Sequence, residues 1–208
     1  MIPESYRYIL LEGPDRSGKD TQAAMLVRHL TDKGQNPLLV AEPCADLPTG
    51  KLLRQLLKSG EFPESHAALF LADRMALQSH VLKHAIDAGR PVVSVRSFLS
   101  TLCYQAEDWP MDWLYCIHEM LPIKPTHVVI LDVDSDEAQR RMGRDIRSPE
   151  MYEKIEIQRR VRQRYLELPQ QDRFWRLLHP AGWAVVIPEA SEEEVHNRVW
   201  NFVGVDHG

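Results

Sequence analysis

Between Gly13 and Lys19 the chain reads Gly-Pro-Asp-Arg-Ser-Gly-Lys, and two glycines at this spacing ahead of a lysine fit the G-x-x-x-x-G-K pattern of a phosphate-cradling loop. Glycine lets the backbone close around an anion. The start of the helix that follows aims free N–H groups and the positive end of its dipole at that anion, and Lys19 adds a movable cation for the outer phosphates. Gly13, Ser17, Gly18, Lys19, Asp20 and Thr21 are therefore the candidate contacts to a nucleotide's phosphates. One position breaks the pattern: where such loops carry a Ser or Thr whose hydroxyl holds Mg²⁺, this chain has Asp20, with Thr21 after it.

A second cation, Arg96, ends the apolar run Pro91 to Val95, where it is placed to hold an anionic substrate group. The stretch Ser97 to Gln105 reads as a loop entering another helix, with hydroxyls and an amide able to read a base or a sugar. Glu42-Pro43-Cys44 sets a carboxylate and a rigid turn at the end of a further short strand. Arg140, Arg141, Arg144 and Arg147 fall within eight residues, with Gly143 as a hinge candidate. Such a run fits a solvated face. Beside a phosphate loop we read it as a mobile lid, about residues 140–152, that closes arginines over phosphates.

These residues need a scaffold that brings them to one edge. Tyr8-Ile9-Leu10-Leu11, Pro37 to Ala41, Pro91 to Val95, His127 to Val133 and Ala184 to Ile187 read as buried strands. Helical periodicity runs from Thr21 to Lys33, from Thr49 to Ser59, from Ser65 to Ala88, from Trp113 to Met120, and from Ser135 into the arginine run. It returns from Glu150 to Leu168 and from Ser191 to Val203, where Ser191 and Glu194 have capping-box spacing. Alternation of this kind predicts a three-layer α/β/α domain with a five-stranded parallel sheet, residues 1–208 forming one domain. Parallel strands present their carboxyl ends to the ligand crevice, so the loops after Leu11, Ala41 and Val95 should share one face. On periodicity alone Phe70 belongs to the core, and Asp73 and Arg74 fit a solvated pair.

Composition narrows the partners. Among 208 residues, 44% are hydrophobic and 26% charged, and no apolar run approaches the roughly 20 residues of a membrane span. Met1 to Ser5 lacks the basic start and apolar core of a secretion signal, so Cys44, Cys103 and Cys116 are expected as free thiols in a cytoplasmic protein. A net charge of −5 argues against broad binding to a nucleic acid backbone, while the arginines between Arg140 and Arg164 leave a local grip on phosphates open.

Several segments in order, LLEGPDRSGKDTQ, EPCADLPTGKLLRQLLKSG, ALFLADRMALQSHVLKHAIDAG, VVSVRSFLSTLCYQ and ILDVDSDEAQRR, resemble the thymidylate kinases among the P-loop nucleoside-monophosphate kinases, from about Tyr8 to Val203. The resemblance implies transfer of the ATP γ-phosphoryl to dTMP with Mg²⁺, and suggests a homodimer through the long helices. It implies that Arg16 helps neutralise the transferring phosphoryl and that Asp15 faces the acceptor deoxyribose. Glu42, Pro43, Phe70 and Arg74 then belong to the acceptor site, with Phe70 stacking on the thymine and Arg74 hydrogen-bonding it. Arg96 grips the acceptor phosphate, Ser100, Thr101, Tyr104 and Gln105 read base and sugar, and Arg144 is the lid arginine.

The departures are specific. Val95-Arg96-Ser97 stands where the family has Asp-Arg followed by Tyr or His, and Asp20 is expected to supply the metal contact that the missing aspartate and loop hydroxyl would have made. Two other readings remain at this level. One is a kinase for a modified pyrimidine nucleotide or a hydroxymethylated pyrimidine in DNA, with the arginines between Arg140 and Arg164 on the strand. The other is a nucleotide-binding module without catalysis, for which Asp20 and Val95 speak and against which Lys19, Arg16, Arg74 and Arg96 speak.

Overall fold

The computed structural model describes residues 2–3, 5–142 and 154–204. In chain order, Tyr8–Glu12 forms β1, Lys19–Asp32 α1, Leu38–Ala41 β2 and Pro48–Ser59 α2. A long helical rod follows: α3 (His66–Leu77), a π turn over Gln78–Leu82, and α4 (Lys83–Asp87). Val92–Val95 is β3, Phe98–Tyr104 α5, Met111–Glu119 α6, His127–Leu131 β4 and Ser135–Met142 α7. Ile155–Glu167 is α8, Asp172–Trp175 α9, Trp183–Ile187 β5 and Glu192–Gly204 α10.

The sheet is parallel throughout, in the order β2-β3-β1-β4-β5, as continuous apolar runs covered by helices on both faces predict. Side chains alternate along β1. Ile9 and Leu11 pack with Leu26, Leu30 and Val199 of α1 and α10, while Leu10 packs with Leu99, Leu114 and Val161 of α5, α6 and α8. Glu12 has the parity of Leu10 and so faces α5 and α8. The chain doubles back between β1 and β3, and its crevice opens at their carboxyl ends, where the phosphate loop and Arg96 both lie.

Element ends agree with the periodicity to within a few residues, and Ser191 and Glu194 form their reciprocal cap: Ser191 Oγ donates to Glu194 Oε2 at 2.7 Å and the Glu194 N–H donates to Ser191 Oγ at 3.3 Å. Two expectations are corrected. The stretch read as a loop after Ser97 is helix α5, and all seven of its residues are buried. Its hydroxyls suggest a loop because Ser and Thr compete locally for backbone groups. Here a distant carboxylate, Glu12, accepts the N–H groups of Ser97 at 2.7 Å and Ser100 at 3.2 Å and so caps the helix from the neighbouring strand. Asp73 and Arg74 are not a solvated pair either: each is 1% exposed. Asp73 accepts from the Cys44 N–H at 2.8 Å and the Thr49 hydroxyl at 2.7 Å, fixing the turn after β2.

Candidate active site

The phosphate loop is shaped by two glycines in left-handed backbone. At Gly13, φ is 141°, and a Cβ would stand 2.3 Å from the Leu131 carbonyl oxygen, so only glycine lets the loop pass β4. Gly18, with φ 90°, starts α1, and no side chain caps that helix start. The first intrahelical bond runs from the Gln22 N–H to the Gly18 carbonyl at 3.0 Å, which leaves the N–H groups ahead of it for a ligand. Lys19 is 4% exposed and donates to the Gly13 and Pro14 carbonyls at 3.0 and 2.5 Å and to Ser17 Oγ at 3.2 Å. Burial, with Arg96 nearby, lowers its ammonium to about 7. A polyphosphate would reverse that shift by favouring the charged form. Asp20 sits in the first turn, exposed, and is among the residues that line the same cavity.

Across the crevice Arg96 holds φ 66°, a conformation rare outside glycine, which turns its side chain off the strand end. Its guanidinium pairs with Asp15, donates to Ser100 Oγ at 3.2 Å and lies 5.4 Å from the centre of the Tyr104 ring. Gln158 of α8 clamps Asp15 at two points, donating to Oδ2 at 2.8 Å and accepting the Asp15 N–H at 3.1 Å. Burial alone would raise the Asp15 carboxyl, but Arg96, Lys19, Tyr104 and Gln158 bring it below the usual carboxylate range. Asp15 therefore stays ionised between the loop and Arg96. Behind them Glu12, 0% exposed, also accepts from the hydroxyls of Ser100 at 2.7 Å and Tyr165 at 2.9 Å.

Deeper in the same cavity, Arg74 is held from all sides. Oε2 of Glu42 accepts both its Nε–H at 2.8 Å and an Nη2–H at 2.5 Å. Ser97 Oγ and Thr101 Oγ1 accept at 3.0 and 3.3 Å, and His118 Nε2 accepts from Nη1. Burial, then the charge of Arg74, depresses the His118 imidazole to about 3. The folded state therefore binds fewer protons than the unfolded chain between about pH 3 and the ordinary histidine value near 6.5, and stability rises with pH across that window. Acidification from 6.5 should cost the parent up to about 1.4 kcal/mol per pH unit more than His118→Gln, which has no proton to take up. Urea unfolding of both proteins between pH 7 and 5 measures the difference, and parallel pH profiles would refute it.

One cavity of about 930 Å³ collects these groups. Of the residues singled out from the sequence, Asp15, Arg16, Ser17, Gly18, Lys19, Asp20, Thr21, Glu42, Pro43, Phe70, Arg74, Arg96, Ser100, Tyr104 and Gln105 line it. Gly13 and Thr101 are not on its wall, and Arg144, with most of the expected lid, lies outside the described residues. Phe70, a core residue by periodicity alone, is only half-buried and stands on the wall. Gln105 is 1% exposed, and neither its amide oxygen nor its amide nitrogen has a hydrogen-bond partner among the described residues, as in a site whose polar atoms await a ligand.

The structure adds Glu12, Gln158, His118 and Arg54, which the sequence did not mark, and gives Arg141 of the arginine run its place. Glu12 and Gln158 brace the Asp15 and Arg96 wall. His118 backs Arg74, and Arg54 of α2 holds the Pro43 carbonyl at 2.5 and 3.0 Å and lines the cavity. Arg141, at the end of α7, donates to the Arg16 carbonyl at 3.1 Å, pairs with Glu189 and reaches the cavity. Of the four unmarked residues only Glu12 carried a local signal: a carboxylate at an inward position directly after an apolar strand.

Of the arginines behind the DNA reading, the four on α8 are matched among the described residues, while Arg144 and Arg147 lie outside them. Arg159 pairs with Asp136, Arg160 and Arg164 with Glu107, and Arg162 with Asp132 and Asp134, at 2.6 to 2.9 Å. Each of the four faces a carboxylate of the fold rather than standing as free basic surface.

A glycine-and-lysine anion cradle, facing arginines across one crevice at the carboxyl ends of parallel strands, is what a P-loop nucleotide phosphotransferase requires, and fold and site together define that class. Comparison with known proteins narrows it. Residues 11–198 match the thymidylate kinase family model. A probable thymidylate kinase of Thermococcus gammatolerans is 36% identical over 173 residues, 77% of this chain and 82% of that protein. Another, of Thermococcus onnurineus, is 32% identical over 92% of this chain and 94% of its own. Among solved structures, the thymidylate kinase of Candida albicans superposes with a TM-score of 0.77 at 25% identity, covering 96% of this chain and 91% of that one. The chain belongs to the thymidylate kinase family.

Among the described residues no helix is long and apolar enough to cross a membrane, and Cys44, Cys103 and Cys116 are free thiols.

Proposed function

We propose that this chain transfers the γ-phosphoryl of ATP to dTMP, giving ADP and dTDP in one in-line step. The carrying observation is that a single crevice holds the uncapped, lysine-bearing start of α1 on one side and, on the other, Arg96, Arg74 and Gln105, whose side-chain amide has no partner among the described residues. An oxygen of the acceptor phosphate attacks the γ-phosphorus as the bond to the β–γ bridging oxygen breaks, and ADP leaves with that electron pair. Phosphoryl transfer of this kind asks the protein for position and charge. Lys19, Arg16 and the loop amides take the donor phosphates, Arg96 takes the acceptor phosphate, and Asp15 keeps Arg96 aimed between them. Phe70 and Pro43 wall the base, while Arg74 and Gln105 offer it hydrogen bonds. Tyr104, beside Arg96, crowds the sugar edge and disfavours a 2′-hydroxyl.

The donor set suits Mg²⁺, a hard cation held by one or two carboxylates together with substrate phosphates. Asp20, among the residues that line the cavity, carries such a carboxylate, and beside a polyphosphate that charge is repulsive unless a cation bridges the two. When bound, the metal would neutralise charge on the transferring group. Asp20→Ala is expected to weaken Mn²⁺ binding to the ATP complex by about tenfold, or about 1.4 kcal/mol, and to leave binding of metal-free ATP equal or tighter. Paramagnetic titration of Mn²⁺ checks this, and an unchanged Mn²⁺ affinity would remove Asp20 from the metal site.

The proposal itself is tested with labelled ATP and Mg²⁺ against dTMP, dCMP, dUMP and single- and double-stranded DNA. Strong label on dTMP, weaker label on dUMP and none on dCMP or DNA is the expected result, whereas label on DNA alone or on nothing contradicts the reading.

A further inference from the structure

His118 belongs to the Arg74 cluster but stands behind it, where no contact with substrate explains it. It lies in α6, no residue of which lines the cavity, and it is 3% exposed. Its Nδ1 stands 2.6 Å from the Leu114 carbonyl oxygen, which can only accept, so Nδ1 carries the proton and Nε2 is left as an acceptor. That acceptor meets Nη1 of Arg74.

The hydrogen-bond count of Arg74 shows what the contact does. A guanidinium has five N–H groups in one plane. The Nε–H and one Nη2–H converge on a single oxygen, Oε2 of Glu42, and the other Nη2–H points to Thr101 Oγ1 at 3.3 Å. These bonds, with Ser97 Oγ also accepting from Nε at 3.0 Å, hold the Nε and Nη2 edge of the plane and leave the far, Nη1 edge to another partner. His118 holds that far edge. One Nη1–H is then left with no partner among the described residues, on a side chain that lines the cavity.

We infer that His118 is a positioning residue for base selection: by accepting one Nη1–H of Arg74 it sets the guanidinium plane so that the other Nη1–H meets a carbonyl oxygen on the acceptor pyrimidine and rejects an amino group there. A guanidinium can only donate, so a base with an amino group at that edge opposes donor to donor and leaves both unpaired. The inference rests on the dTMP-kinase reading, because it takes the occupant of the Arg74 end to be a pyrimidine monophosphate.

Two polar variants separate positioning from packing. In His118→Asn the amide can replace Nδ1–H toward Leu114 but falls short of Arg74; in His118→Gln the amide oxygen reaches as far as Nε2. Calorimetric binding of dTMP and dCMP without ATP, steady-state constants for both nucleotides, and melting temperature are measured on the parent and both variants. His118→Asn should weaken dTMP binding and raise its KM by about tenfold, the loss expected for one buried hydrogen bond. The preference for dTMP over dCMP should fall by a similar factor, with KM for ATP and kcat within about twofold of the parent. His118→Gln should recover most of both. Equal dTMP affinity and selectivity in parent and His118→Asn, or equal damage in the two variants, overturns the inference and leaves the kinase reading standing. A parent that binds dTMP without phosphorylating it overturns the catalytic reading alone, since the affinity comparison still decides the role of His118. A parent that binds neither nucleotide overturns both.

Discussion

Arg96→Met should lower kcat/KM for dTMP by about a thousandfold while leaving KM for ATP within about twofold. Two charge-assisted hydrogen bonds to an acceptor phosphate, at about 2 kcal/mol each, amount to about 4 kcal/mol, and each 1.36 kcal/mol is a factor of ten in rate. The backbone confounds this little. Arg96 sits at φ 66°, where any side chain other than glycine carries the same strain, so methionine keeps the turn and removes the guanidinium with its charge and its hydrogen bonds. The fold should lose less than the chemistry does. The pair with Asp15 is about a fifth exposed on each side, and a partly solvated pair contributes about 1 kcal/mol, or about 2–4 °C in melting temperature for a chain of this size. Arg96→Lys should rescue poorly, because an ammonium cannot span Asp15, Ser100 and a phosphate as the planar fork does. A variant within tenfold of the parent on dTMP would mean that the acceptor phosphate lies elsewhere.

Lys19→Met should move function and stability in opposite directions. Turnover should fall by about a thousandfold or more, since the lost charge faces the group whose negative charge must be held through the transfer. The fold should gain. Lys19 is 4% exposed and its ammonium is lowered to about 7, so its bonds to the Gly13 and Pro14 carbonyls do not compensate for burying the charge. A folded pKa below the unfolded one means that the cost is present at and below neutral pH and fades as pH rises toward the unfolded value. Removing the charge should therefore raise the melting temperature at pH 6.5 by a few degrees, at about 2–4 °C per kcal/mol, and the gain should shrink toward pH 9. Calorimetric melting of parent and variant at both pH values measures this. A variant that melts lower at pH 6.5 would show Lys19 to be a structural residue first.

How much of this was legible beforehand depends on the distance over which each interaction acts. The loop from Gly13 to Lys19 could be read because anion binding by a helix start is local: glycine freedom, dipole and lysine all lie within seven residues. The sheet was legible for a similar reason, since runs such as Val92–Val95 and His127–Leu131 admit few positions other than a buried parallel strand. What escaped is tertiary. Helix α5 looked like a loop because its cap, Glu12, is 85 residues upstream of Ser97. Asp73 looked solvated because nothing nearby in sequence predicts that the Cys44 turn folds onto it. Gln158 and His118 act only through Asp15 and Arg74, and no spacing rule links a residue to another 143 or 44 positions away. Arg144, carried over from the resemblance as the lid arginine, lies outside the described residues, and Arg141 of the same run is on the cavity wall. The family resemblance, by contrast, reached Phe70 and Arg74, which periodicity alone assigned to core and surface.

The central claim is that donor and acceptor occupy one crevice with their phosphates between Lys19 and Arg96. A dinucleotide that joins adenosine to thymidine 5′ to 5′ through a polyphosphate measures it most directly, by inhibition kinetics against each substrate in turn. The account predicts one molecule bound per chain and competitive inhibition against both ATP and dTMP, weakened by Lys19→Met and by Arg96→Met alike. Inhibition competitive with one substrate and indifferent to the other, or loss through only one of the two variants, would place the two nucleotides in separate sites and contradict it.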